Sequence, residues 1–186
     1  MFNFNVIDVL PRRPVGVPAL RPCTGPLAGS AGSFSSTLFT TAHHEAGHAV
    51  AGVAVGATVE RVTIVADART LGQTVVQHAQ DVGALRRVVH VLAGPLAECR
   101  HTGRSFVLSE YRSDRDRVIH FITTRSAIPE HRALDSATYA TALDLAQTIV
   151  AARWAQIGRV AVELILRGTL DHHQLAHAMR VPEYNA

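Results

Sequence analysis

Lysine is missing from this chain: all 18 basic residues are arginine. Without lysine no GxxxxGK[ST] phosphate loop can form, which excludes a Walker-type ATPase site. Cysteine is scarce as well, and Cys23 and Cys99 lie far apart in no shared motif. Two thiols without a disulfide framework suit a reducing compartment. The opening "MFNFNVIDVL" lacks the basic stretch and apolar core of a secretory signal. Long apolar runs are absent too, since "AVAGVAVGATV" has only about half the residues of a membrane span and is rich in glycine. Charge is modest, at 18% of residues and a net +3, and the arginines are scattered rather than gathered into a stripe. That distribution argues against a nucleic-acid partner. These absences together lead us to expect a soluble cytoplasmic protein.

What is present suits one domain with a tail: 186 residues, 47% of them hydrophobic. Residues 11–36 are dense in Pro, Gly and Ser, so residues 1–36 read as an arm and 37–186 as the folded domain. A helix is expected over 40–55, with Thr40 or Thr41 as its N-cap and Gly56 as its stop. The β-branched stretches "TVERVTIV" and "GQTVVQH", joined by "ADART", read as a strand pair. Leu85, Val88, Val89, Leu92 and Leu96 recur at helical spacing and place a helix over about 82–100. Further helices are expected from Ser113, over 135–151 and 153–167, and from Asp171. The fold class is therefore mainly α, a helical domain with a small β-hairpin or sheet after the first helix.

The chemistry concentrates in "HHEAGH". His44-Glu45-Ala46-Gly47-His48 is an HExxH pattern, and residues four apart stand one turn apart on one helix face. His44 and His48 can therefore direct two imidazoles at one zinc ion, with Glu45 about 100° around the helix beside the ion's open position. His43 points away from His48. Phe39, Ala42, Ala46, Ala49 and Val53 form the opposite face, expected to pack into the core. Ala51, Gly52 and Val55 keep the His side apolar, and buried imidazoles in such a place need partners.

Catalytic zinc takes three protein ligands and a water. His90, Glu98, His101, Glu110, Asp114 and Asp116 are the downstream candidates. In "YRSDRDRVIHFITT", Ser113 and Asp116 have the spacing of a capping box, which gives Asp116 a structural task. Asp114 shares a face with Val118, Phe121 and Ile122 and so aims inward, where a carboxylate needs a cation or several donors. Glu98 is the runner-up; it otherwise reads as a solvated surface acid, an Arg partner, or a group behind the ligands.

"TAHHEAGHAVAG" followed by "VERVTIVADARTLGQTV" resembles the zinc peptidase domain of FtsH, the membrane-bound AAA protease. "VLAGPLAE" is similar to that family's LGGRAAEE helix, and "YRSDRDRV" stands where the family has the Asp that is its third zinc ligand. The resemblance runs over about residues 38–126, more loosely into the closing helices. It implies one zinc ion held by His44, His48 and Asp114, with Glu45 as the general base. FtsH carries membrane helices and an ATPase module before its peptidase, and this chain has the Pro-rich arm in their place.

The implied reaction is zinc-assisted peptide hydrolysis, independent of ATP, on flexible or unfolded polypeptides. Homo-oligomerisation or a separate delivery partner stays open. The alternatives are a zinc-bound regulatory or binding module without proteolytic activity, and a zinc hydrolase of non-peptide amides. A substrate strand could join the sheet edge formed by residues 58–66, which reads equally well as a covered or merely structural hairpin. His172 and His173 are expected to face solvent, and Trp154 to pack with Ile157, Val160 and Leu164.

Overall fold

The computed structural model describes residues 33–66, 71–78, 83–123 and 132–180, with side chains throughout except at 33–36 and 132–136. Residues 1–32, most of the "ADART" connection and His131 lie outside that set. Helix α1 spans Ser33–Ala54, so Thr40 and Thr41 lie inside it rather than capping it. No proline occurs between Pro26 and Pro95, and nothing in "SFSSTLF" breaks a helix. Its end falls where expected: Gly56 adopts φ +84°, a left-handed turn that glycine enters without strain.

The chain then forms β1 (Thr58–Thr63) and β2 (Gln73–Gln77), which pair antiparallel with Val62 opposite Thr74. The register slips between Val59 and Arg61. This one-residue bulge lets Val59 and Val62, three apart, both turn inward to zero exposure. Helix α2 (Ala84–Thr102) follows, with the expected stripe inside it, then a short turn at Leu108–Glu110 and helix α3 (Arg112–Thr123). The amide of Arg115 donates to the carbonyl of Tyr111, so the helix begins before Ser113. Ser113 is thus no cap, and Asp116 pairs with its neighbour Arg115 at the surface.

Helices α4 (Arg132–Ala152) and α5 (Trp154–Arg167), strand β3 (Thr169–Asp171) and helix α6 (His172–Arg180) complete the described residues. Asp171 caps α6 reciprocally: its Oδ1 accepts from the amide of Gln174, whose side-chain oxygen accepts from the amide of Asp171. The fold is mainly helical with a small three-stranded antiparallel sheet, as the patterning implied. Among the described residues no helix is long and apolar enough to cross a membrane.

Two further expectations change. Strand order is β2-β1-β3, so β1 is central, flanked by β2 on one side and covered by β3 along Arg61–Thr63 on the other. The short "TLD" after Gly168 returns to pair with Arg61–Thr63, and three residues are too few to show a strand pattern in sequence. The apolar face of α1 is also narrower than drawn: Ala42, Ala46 and Ala49 are wholly buried, whereas Phe39 and Val53 are each 40% exposed. The core forms where α2 and α5 cross the middle turns of α1, and α4 covers the far side of α2. Gly47 sets the α1–α2 distance. A β-carbon there would lie 2.6 Å from the Ala93 carbonyl oxygen and 2.7 Å from Ala97 Cβ.

Candidate metal centre

Helix geometry sets His44 and His48 side by side, their Nε2 atoms 3.1 Å apart. Asp114, two residues into α3, reaches both: Oδ2 is 3.2 Å from His44 Nε2 and Oδ1 is 3.4 Å from His48 Nε2. These three residues form a group whose donor atoms all lie within 4.8 Å of one another. Donors about 2.0–2.1 Å from a tetrahedral ion sit roughly 3.3 Å from each other. The set therefore fits a small divalent metal in both spacing and chemistry. His48 and Asp114 side chains are 4% and 7% exposed, but His44 is 16% exposed, so the cluster opens to solvent on the His44 side.

Both imidazoles are held from behind. His48 Nδ1 donates to the His90 carbonyl at 3.1 Å, which leaves Nε2 as the free lone pair. The His48 ring lies against Gly94 of α2, where any β-carbon would overlap it. His44 Nδ1 donates to Glu98 Oε2 at 3.0 Å. Glu98 thus stands behind the cluster instead of in it, and ties α2 to the HExxH helix. Tyr111 stacks on the His44 ring at 5.9 Å between centroids.

Charge follows geometry. Burial lowers the His44 pKa, but hydrogen bonds to Asp114 and Glu98 outweigh it and push the metal-free value up to about 10. Burial raises Asp114, yet His48 and His44 hold its carboxyl far below the usual range. Each would then be charged near neutrality, an internal pair occupying the place a divalent cation would take. Glu45 is buried at 6% exposure beside this cluster, and Thr74 Oγ1 of β2 lies 2.6 Å from its Oε2.

His90 has both ring nitrogens buried without a hydrogen-bond partner. Burial and the neighbouring His48 hold its pKa well below the ordinary value, so it stays neutral. His101 instead stacks on His43 at 3.8 Å, away from the cluster, and Glu110 pairs with Arg104. His172, though exposed, binds the Val59 carbonyl through Nδ1 and so helps fasten α6 to β1. Trp154 packs against the core and carries Arg100 over its ring at 4.6 Å. Sequence reading missed Thr74 and Gly94. Gly94 had a signal, a Gly-Pro pair inside an apolar helix, while Thr74 is an ordinary strand threonine.

A comparison with known families matches residues 33–128, more than half of the chain and the whole of this cluster, to Peptidase M50B-like. The chain belongs to that family. Its members are peptidases, which makes this a metallopeptidase-type domain whose His44–His48–Asp114 group is compatible with a metal site. M50B-like is not the FtsH-type family that the HEAGHA motif resembles. HExxH on a helix beside a small sheet is a local way to hold one ion, and such sites recur on separate lineages. No curated protein matches the chain.

Proposed function

We propose that this chain is a zinc-dependent endopeptidase acting without ATP on flexible or unfolded polypeptides in the cytoplasm. The observation that carries the reading is the convergence of two imidazole nitrogens and one carboxylate, with a buried glutamate one residue along the same helix. His44, His48 and Asp114 would hold one zinc ion, and the FtsH-type resemblance supports Asp114 as the third ligand. Zinc, when bound, supplies a Lewis acid that makes water nucleophilic near neutral pH. Glu45 is the general base: its carboxylate takes the water's proton and later delivers it to the leaving amine. Asp114 would stay a carboxylate throughout, as a metal ligand must.

The substrate would lie along β2. Its outer edge is unpaired among the described residues, and it runs beside Glu45. Backbone groups on such an edge accept an extended peptide with little regard to its sequence, which suits unfolded chains.

The test is metal analysis joined to cleavage of unfolded casein by wild type and by Glu45→Gln. The expected result is one zinc per chain in both, with the variant slower by about 10²–10⁴-fold. Zinc without any cleavage would favour a binding or regulatory module, and turnover of small amides but not casein would favour a different hydrolase.

A further inference from the structure

We propose that Thr74 is a positioning residue for Glu45, setting the carboxylate of the base from the edge strand instead of from its own helix. The inference rests on the peptidase reading above. Glutamate has three side-chain torsions, and a helix backbone alone leaves several rotamers open. Here one carboxylate oxygen is hydrogen-bonded and the other is closely packed. Oε2 accepts the Thr74 hydroxyl at 2.6 Å, the short distance of a charge-assisted O–H···O⁻ bond. Oε1 packs over Gly72, where a β-carbon would lie 2.9 Å from it and 2.8 Å from Glu45 Cγ. Oε1 is thereby left as the oxygen free to receive a proton.

Thr74 is itself well anchored. It stands opposite Val62, a wholly buried residue of the central strand, so its place is tied to the core rather than to a loop. The strand a peptide would join is the strand that holds the base. Its length along α1 is marked by Gly72 against Thr41 and Glu45 at one end.

The experiment uses the zinc-loaded full chain and a fluorogenic unstructured peptide, comparing Thr74→Val with Thr74→Ser. Valine keeps shape and removes the hydroxyl; serine keeps the hydroxyl. Expected for Thr74→Val is a fall in kcat of about 10–100-fold, part of the general-base contribution, with KM and zinc content within about twofold of wild type. Thr74→Ser should recover most of that loss. A kcat unchanged in Thr74→Val, a loss carried by KM or zinc content, or a serine variant as impaired as valine would each overturn the inference. If circular dichroism shows Thr74→Val unfolded, Thr74→Ala set against Thr74→Ser decides: alanine lacks the hydroxyl that Glu45 accepts, so its kcat falls with zinc retained while serine keeps it, and equal kcat in the two overturns the inference. A wild-type chain that holds zinc and turns over no peptide removes the peptidase reading and this inference with it. Turnover indifferent to residue 74 removes the inference alone.

Discussion

Glu98 Oε2 accepts a hydrogen bond from His44 Nδ1 at 3.0 Å across 54 residues of sequence, joining α2 to the face of α1 that carries the metal-binding pattern. That bond fixes the His44 tautomer and turns Nε2 towards His48 and Asp114. Carboxylates in this relation also raise the basicity of the imidazole they touch.

Glu98→Gln keeps an acceptor but loses the charge, and Glu98→Ala loses both. Zinc affinity should fall about 10–100-fold for alanine and less for glutamine. Competition with a chromophoric chelator measures it. Equal affinities in all three proteins would mean that the contact is incidental.

The metal-free chain should respond to pH in a fixed direction. His44 is raised from 6.5 to about 10, so its ion pairs stabilise fully below about pH 6.5, and that contribution is lost as pH rises towards 10. Asp114 is lowered, so its share persists above the ordinary carboxylate range and disappears only in acid. Urea titrations in chelator at pH 6, 8 and 10 should show falling stability over that range. Zinc must displace the His44 proton, so its apparent affinity should rise about tenfold per pH unit between 7 and 9. A flat affinity profile would contradict the charge state assigned to the pair.

Gly94→Ala places a methyl into the His48 ring, which must turn and give up its bond to the His90 carbonyl. Zinc binding should be lost or severely weakened, with destabilisation of about 1–3 kcal/mol from overpacking. Gly47→Ala instead strains the α1–α2 contact through the Ala93 carbonyl and Ala97. It should destabilise the fold by a similar amount while leaving more of the zinc affinity intact. Calorimetry and metal titration on both variants separate the two effects.

How much was legible follows from how far each signal reaches along the chain. The five residues of HExxH mark two candidate donors and a candidate base by themselves, because helical periodicity fixes their directions locally. The mainly helical class and the strand pair were equally local, written in 3.6- and 2-residue spacing. Asp114 needed only its own helix face to be singled out. Family membership was not legible in the motif, because the motif encodes chemistry and recurs outside one lineage. Glu98's partner, the Thr74 bond to Glu45, the central place of β1 and the clearance at Gly94 had no local trace. Each depends on which elements meet after α2, α5 and β3 fold back on α1, and such meetings are decided by the joint burial of many side chains rather than by any one stretch. The sequence alone chose the atoms that would meet a metal; only the packed structure decided what holds them in place.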